Sequence, residues 1–264
     1  MSTEPITKHE LAHRDRVRVV SLDADVCDHA SAVARVAALA ERGEGSYVCF
    51  GTVHMIMESH DSPEFGAKVN AADMIVPDGM PLVWIQRLRG RKNATRVRAN
   101  DLMMMLCDFA EKHGLRVGFY GGKQEVIDGI IERAAKDFPA LNIAYAFSPP
   151  FRPLTDEEDA EITARINESE PQILFIGLGC PKQENWMAAH KSKLKCVMLG
   201  VGASFDFYAG NVKESPEWLG KLGLEWLYRL TQEPRRLWKR YLILNPRFMW
   251  LAIRQLLGSK SSSD

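Results

Sequence analysis

Short segments rich in β-branched and aromatic residues alternate with segments of helical periodicity along most of this chain. The pattern predicts strands at residues 16–22, 46–52, 75–76, 115–120, 141–147, 172–177 and 195–201, with helices at 31–42, 102–112, 123–137, 155–168 and 182–193. Strands that alternate with helices build a mainly parallel sheet that helices cover on both faces. The chain is therefore predicted to have an α/β fold. Asn100 is predicted to cap the helix at 102–112, and Thr155 with Glu158 has the spacing of a capping box.

The residues that end the predicted strands are rich in glycine, aspartate and proline. They are Gly51-Thr52, Pro77-Asp78-Gly79, Gly121-Gly122, Gly177-Leu178-Gly179 and Gly200-Val201-Gly202. Parallel sheets bind ligands beyond the carboxyl ends of their strands. A binding site is therefore predicted at this edge of the sheet.

The last quarter of the chain differs from the rest in composition. Residues 229–260 carry eight Lys or Arg and one acid, Glu233, in a chain whose 34 basic and 34 acidic residues balance. Four of the six tryptophans also fall late, at Trp218, Trp226, Trp238 and Trp250. We predict a core at residues 16–211, a helical basic and aromatic appendage at 212–258, and disorder at 1–15 and 259–264. A basic, aromatic appendage suits an anionic, partly apolar surface, which could be a membrane or a nucleic acid.

Composition narrows where such a protein works. The five cysteines form no CxxC pair, which indicates reduced thiols and hence the cytosol. The polar N-terminus does not resemble a signal peptide, and no apolar run approaches the ~20 residues that span a bilayer. Any membrane contact is therefore expected to be peripheral.

Two glycine turns have features of a phosphate or nucleotide site. In the segment 177–184, Gly177 and Gly179 precede a helix start where Lys182 and Gln183 add a charge and an amide. Neither a GxGxxG motif nor a P-loop is present. In the segment 200–207, Gly200 and Gly202 precede Asp206, which could accept hydrogen bonds from a ribose or a base. A plain strand-to-helix turn and a structural acid remain open alternatives for the two segments.

Candidate groups for catalysis lie at other strand ends. Asp78 in a Pro-Asp-Gly turn could accept a proton from a hydroxyl, although this tripeptide is also simply a good turn. Thr52 and His54 are interpreted as the end of the preceding strand, near Asp78. Arg96 is a basic group that could neutralise a leaving diphosphate. The DxD triplet at residues 23–25 is interpreted as a structural feature and not as a metal site.

Six motifs in this order resemble those of the WecB/TagA/CpsF family of glycosyltransferases. The resemblance covers residues 17–250 and rests on the segments 52–54, 72–84, 96–102, 177–186, 200–210 and 224–230. It implies a Rossmann-like core with a helical C-terminal appendage on the cytoplasmic face of the membrane. It also implies inverting, metal-independent transfer of a sugar from a UDP-sugar to a sugar on a polyprenyl diphosphate. The product would belong to a teichoic acid linker, common antigen or exopolysaccharide.

The resemblance also assigns roles to single residues. Asp78 matches the proposed catalytic base, Thr52 a neighbouring site residue, Arg96 an arginine that stabilises the diphosphate, and Gln183 a residue beside the donor phosphates. The basic appendage positions are Arg229, Arg236, Lys239 and Arg240. His54 stands where many members have Asn, Ala99 where Gly is usual, and Lys239 where Arg is usual. The donor sugar, the acceptor sugar and a possible homo-oligomer stay open.

Parts of the sequence also fit two other functions. A nucleic-acid-binding module would use the basic, aromatic appendage, but no RNA- or DNA-binding motif accompanies it, so no nucleic acid partner is expected. A dinucleotide-dependent oxidoreductase, a nucleotide enzyme of another reaction class, would share the α/β fold but would need the GxGxxG motif that this chain lacks. The resemblance implies that the reaction needs no metal, and with no dinucleotide motif present we expect neither a metal nor a cofactor.

Overall fold

A computed structural model describes residues 14–258. The predicted disorder of residues 259–264 and of residues 1–13 lies outside the described part. Arg14 and Asp15, which were predicted to be disordered, are instead anchored. Arg14 forms an ion pair with the buried Asp25 (Nη2 to Oδ2, 2.5 Å), and Asp15 pairs with Arg91 (2.8 Å).

Six parallel strands form the main sheet, in the spatial order β4-β3-β8-β7-β5-β6. Their bounds are β3 Ser46–Gly51, β4 Met74–Pro77, β5 Arg116–Gly121, β6 Asn142–Phe147, β7 Ile173–Gly177 and β8 Val197–Gly200. Because all six run in one direction, their carboxyl ends meet at one edge of the sheet. The predicted α/β architecture is confirmed.

Helices cover both faces of this sheet. They are α1 His29–Arg42, α2 Val53–Asp61, α3 Pro63–Asn70, α4 Met80–Leu88, α5 Ala99–His113, α6 Gln124–Asp137, α7 Asp156–Ser169, α8 Lys182–His190, α9 Ser204–Tyr208, α10 Glu217–Lys221, α11 Glu225–Gln232 and α12 Pro234–Gly258. One hydrophobic core packs α1, α5 and α6 against the sheet, and a second packs α2, α3, α7 and α8 against its other face. The capping box of Thr155 and Glu158 at the start of α7 is confirmed.

The first predicted strand is wrong in form. Residues 16–25 make an antiparallel hairpin of β1 Arg16–Val19 and β2 Leu22–Asp25, which pair outside the main sheet. The DxD acids lie on β2 and serve structural contacts. Asp25 accepts the N–H of Ile75 (2.6 Å) as well as Arg14, while Asp23 pairs with Arg18 (2.9 Å).

Three helices beside the sheet edge, α2, α3 and α4, were not predicted. Thr52 and His54 consequently do not end a strand. Thr52 caps α2 by accepting the N–H of Met55 (3.3 Å), and His54 lies in the first turn of that helix. Asn100 is likewise not a cap, because α5 starts one residue earlier, with Arg98 at the N-cap.

Within the described residues after Gly210, the chain forms only the helices α10, α11 and α12, as predicted for the appendage. The long helix α12 is anchored on the core, since Phe248 and Ala252 are buried in the second hydrophobic cluster. No helix between residues 14 and 258 is both long enough and apolar enough to cross a membrane.

The close approach of β5 and β7 generates the first prediction. A Cβ atom on Gly121 would lie 2.6 Å from the carbonyl carbon of Gly177, whereas one on Gly114, at the end of α5, would meet nothing within 4 Å. Both residues have positive φ. Gly114→Ala should therefore cost about 1 kcal/mol for the left-handed backbone alone, and Gly121→Ala should cost about 1–3 kcal/mol more because the backbone must move. Denaturant unfolding of both variants checks this, and equal losses would contradict it.

Candidate active site

A cleft of about 1420 Å³ opens at the carboxyl edge of the sheet. Strand ends form its floor, and the appendage forms one wall. Of the residues predicted for catalysis, donor binding and the appendage, all but Arg96 line this cleft: Thr52, His54, Asp78, Gly177, Gly179, Lys182, Gln183, Gly200, Gly202, Asp206, Arg229, Arg236, Lys239 and Arg240. The fold thus brings together residues that are up to 188 positions apart, from Thr52 to Arg240.

The Gln183 side chain connects the two glycine turns. Its Oε1 accepts the N–H of Gly179 (3.0 Å), and its Nε2 donates to the carbonyl of Gly200 (2.6 Å). Gln183 is only 4% exposed. Because its amide is engaged within the protein, Gln183 shapes the predicted donor site from beneath. The glycine backbones themselves remain at the cleft surface.

Glu184, a residue that the sequence did not single out, is fully buried beside Gln183. Its Oε1 accepts the second Nε2–H of Gln183 (2.8 Å), and its Oε2 has no hydrogen-bond partner among the described residues. Burial raises the pKa of this carboxyl to about 7. Glu184 is therefore largely uncharged below neutral pH, which spares the core an unpaired negative charge.

Asp78 lies in the turn between β4 and α4, at the floor of the cleft. Its side chain is 20% exposed, and its N–H donates to the carbonyl of Gly51 (3.1 Å), which fixes the turn to β3. Burial raises the pKa of Asp78, and the guanidinium of Arg96 opposes that rise. A carboxylate with an elevated pKa in a cleft is suited to accept a proton.

Arg96 lies behind Asp78, in a smaller cavity of about 120 Å³ that Thr52, His54 and Asp78 also line. Its Nε donates to the backbone carbonyl of Asp78. Its Nη2 lies 2.8 Å from Glu225 Oε2 and 3.4 Å from Asp78 Oδ1. Two carboxylates thus lie around Arg96, which lines the smaller cavity and not the large cleft. This geometry lets Arg96 hold Asp78, and its contact with a diphosphate stays a prediction.

His54 lies on α2 beside these groups. Burial and the nearby charge of Arg240 lower the pKa of His54 to about 4, so its imidazole is neutral at physiological pH. Its Nε2 is 3.3 Å from Glu58, and its buried Nδ1 has no partner among the described residues. His54 can therefore give or accept a hydrogen bond but does not add positive charge.

Asp206 also lines the cleft, at the start of α9. Burial raises the pKa of Asp206, and Arg236 opposes the rise.

At the mouth of the cleft, Phe151 is 99% exposed, and the ammonium of Lys182 lies 5.3 Å from its ring centroid. Phe151 also went unnoticed in the sequence, because a lone aromatic in a proline-rich loop carries no periodic signal.

The four basic residues of the predicted membrane-associating appendage all line the cleft. Arg229 lies over the ring of Phe207 (5.4 Å), and burial lowers the pKa of Arg240. Among the described lining residues, the core contributes six carboxylates (Glu58, Asp78, Glu125, Asp156, Asp159 and Asp206) and four cations (Arg98, Lys123, Arg152 and Lys182). The appendage adds four cations and one carboxylate, Glu225. The appendage thus changes the charge excess of the lining from acidic to basic.

Comparison with known proteins agrees with the motif resemblance. A family model described as the glycosyl transferase WecG/TagA/CpsF family matches residues 17–262. The chain is 32% identical over 215 residues, 81% of each chain, to the N-acetylglucosaminyldiphosphoundecaprenol N-acetyl-beta-D-mannosaminyltransferase of Bacillus spizizenii. Proteins of the same name from Bacillus subtilis and Staphylococcus aureus are each 31% identical, over 73% and 65% of each chain. These matches favour a glycosyltransferase over the dinucleotide-dependent alternative.

The buried Glu184 generates the second prediction. Between pH 4.5, the ordinary value of a Glu pKa, and about 7, the unfolded chain loses this proton while the folded protein keeps it. The free energy of unfolding must therefore fall as pH rises through this window. Glu184→Gln should remove that pH dependence. From pH 4.5 to 7.5 the free energy of unfolding of the variant should therefore rise relative to that of the wild type by up to about 3 kcal/mol, since one pKa unit is worth about 1.4 kcal/mol.

Denaturant unfolding across this pH range provides the measurement, with Glu168→Gln on the exposed face of α7 as the control for loss of a carboxylate. A difference between Glu184→Gln and the wild type that does not change with pH would show that the carboxyl is charged in the folded protein.

Proposed function

The chain belongs to the WecG/TagA/CpsF family of glycosyl transferases, and from this premise we propose that it transfers a sugar from a UDP-sugar to a sugar on a polyprenyl diphosphate, with inversion and without a metal. The observation that carries the proposal is the position of Asp78 at the floor of a cleft lined by two glycine turns and by the cations of the appendage. The named relatives make N-acetylmannosaminyl transfer to an N-acetylglucosaminyl diphosphoundecaprenol the first reaction to test. Its product would enter a cell-surface polysaccharide.

The proposed reaction is a single displacement. Asp78 takes the proton of an acceptor hydroxyl while that oxygen forms a bond to the anomeric carbon of the donor. The bond from that carbon to the diphosphate oxygen breaks, and UDP leaves with the electron pair. The elevated pKa of Asp78 makes it a stronger base than an exposed aspartate. Attack from the face opposite the leaving group inverts the anomeric centre.

The charge of the departing UDP requires cations close to the leaving diphosphate. We assign this role to Lys182 at the start of α8 and to the appendage residues Arg229, Arg236, Lys239 and Arg240, all of which line the cleft. Backbone N–H groups at the glycine turns can approach phosphate oxygens closely. Both substrates carry a diphosphate, which accounts for more cations than one donor would need.

The outer surface of the appendage supports peripheral binding to an anionic membrane on its cytoplasmic side. Trp250, Ile253 and Leu257 recur at spacings of three and four along α12, each is more than half exposed, and none of them lines the cleft. Arg254 lies over the ring of Trp250, 4.5 Å from its centroid. A stripe of exposed apolar side chains with a basic residue beside it suits an interfacial helix. Such an orientation would bring a lipid-linked acceptor to the cleft.

The proposed activity is tested by offering the full-length protein a panel of UDP-sugars with a short-chain lipid-diphosphate N-acetylglucosamine, and by identifying products by mass spectrometry. Transfer from at least one UDP-sugar is the expected result, and the panel names the donor. If no UDP-sugar is transferred although UDP still binds, the proposed acceptor is wrong. If UDP does not bind, the proposed donor class is wrong.

The assignment of Asp78 generates the third prediction. Asp78→Asn should lower turnover by about 10²–10⁴-fold, because a general base typically contributes that much, while UDP still binds. Steady-state kinetics and calorimetric titration with UDP check the two parts. Asp108→Asn, an exposed aspartate on α5, should leave both unchanged. If Asp78→Asn turns over at nearly the wild-type rate, Asp78 is not the general base.

The apolar stripe generates the fourth prediction. Trp250→Ser or Leu257→Ser should weaken flotation with anionic liposomes by about tenfold or more, since burying one large apolar side chain is worth about 1.5–3 kcal/mol. Turnover with a soluble acceptor should persist, because neither residue lines the cleft. The control is Ile131→Ser, which removes a partly exposed apolar side chain from α6, outside the appendage. Unchanged flotation of the Trp250 and Leu257 variants would show that this face does not bind lipid.

A further inference from the structure

Glu225 is the one carboxylate that the described part of the appendage brings into the cleft lining, and it reaches Asp78 through a shared partner. We propose that Glu225 is a positioning residue for Asp78, acting by holding the Arg96 guanidinium partly away from the Asp78 carboxylate. The inference rests on the proposed role of Asp78 as the base. It adds a residue of the appendage to the machinery that prepares this base.

The geometry shows one guanidinium between two carboxylates. Arg96 Nη2 is 2.8 Å from Glu225 Oε2, a full charge-assisted hydrogen bond, but 3.4 Å from Asp78 Oδ1, a weak one. The Nε of Arg96 is held by the backbone carbonyl of Asp78. All three side chains are at most 20% exposed, so solvent screens these contacts little. Arg96 is therefore tied to Asp78 through the backbone and to Glu225 through its charge.

Each end of this bridge is fixed by local structure. Val97, next to Arg96, donates its N–H to the carbonyl of Pro77 (3.0 Å), which ties the arginine segment to the end of β4. Glu225 is the first residue of α11, where a carboxylate is favoured by the helix dipole. The bridge can therefore transmit the position of α11 to the turn that carries Asp78.

The electrostatic consequence has a definite sign. Among the charged neighbours of Asp78, Arg96 and Arg98 lower its pKa, while Glu225 raises it. The other titratable side chains that line the small cavity are the neutral His54, Tyr241 and the appendage cations Arg229 and Arg240. Without the negative charge of Glu225, the pKa of Asp78 falls, and Arg96 is free to pair with its carboxylate. The base then becomes weaker and less available to an acceptor hydroxyl.

Glu214 offers a matched control. It lies in the segment that enters the appendage and pairs with Arg98 Nη2 at 2.8 Å, as Glu225 pairs with Arg96. Arg98 also approaches Glu225 (3.7 Å), so both glutamates belong to one ion-pair network. Glu214 accepts hydrogen bonds from Arg98 and Asn100 and not from Arg96, the residue that lies against Asp78. A role limited to holding the appendage in place would make the two glutamates equivalent.

The experiment compares Glu225→Gln, Glu214→Gln and the wild type in the full chain. The specificity constant kcat/KM is measured across pH with a UDP-sugar donor and a lipid-diphosphate acceptor. The Asp78 carboxyl is titrated separately by carbon NMR, and its signal is assigned by comparison with Asp78→Asn. For Glu225→Gln we expect about tenfold or greater loss of turnover, within the range of general base catalysis, and movement of both the acidic limb and the NMR titration to lower pH. Glu214→Gln should resemble the wild type.

Several outcomes separate the inference from the proposed function. An unchanged NMR titration of Asp78 in folded Glu225→Gln overturns the inference, as does an equal effect of Glu214→Gln. Because the titration requires no turnover, it decides the inference even if no glycosyl transfer is found, which would overturn the proposed function alone. If Glu225→Gln does not fold, Glu225→Asp keeps the charge but shortens its reach, and an unshifted Asp78 titration in that variant overturns the inference.

Discussion

The candidate site depends on how closely the carboxyl ends of β5 and β7 approach each other. Gly122 donates its N–H to the carbonyl of Gly177 (3.0 Å), at a point where the backbone of Gly121 leaves no room for a side chain. Phe205 packs into the space over Gly177 that a Cβ atom would fill. The glycines therefore bring three loops together, and Gln183 then joins two of them through its amide. Because glycines carry no side chain, a phosphate can come close to the backbone N–H groups of this floor.

The sequence predicted this floor because the relevant signals are local. The six strands of the main sheet and the capping box of Thr155 each depend on a few adjacent residues, and the structure confirms them. Thr52 was misplaced because a β-branched residue after a strand can either extend the strand or cap a helix. The hairpin of β1 and β2 was read as one strand because its turn, at Val20 and Ser21, contains neither glycine nor proline.

The orientation of the appendage could not be predicted from local signals. Basic residues recur around the long helix α12, and a helical pattern does not tell which face meets the core. Phe248 and Ala252 fix that face, because both are buried in one hydrophobic cluster with residues of the sheet and of α2. Their burial turns Arg236, Lys239 and Arg240 toward the cleft and leaves Trp250 and Leu257 outside. Three of the cations and the exposed apolar residues, which looked like one membrane signal, thus lie on different faces of the appendage, while Arg254 remains beside Trp250.

This separation gives the appendage an electrostatic function in the core. Without it, the described lining of the cleft would hold six carboxylates against four cations, which would repel a diphosphate. The appendage reverses that balance, and the same helices act on single groups. Arg240 helps to keep His54 neutral, and Glu225 opposes the effect of Arg96 on Asp78. The core supplies the groups that could do chemistry and buries them, and the helices of the appendage shift their pKa values further and change the charge around them. A cleft that becomes cationic only when α11 and α12 are seated joins substrate binding to the position of the appendage.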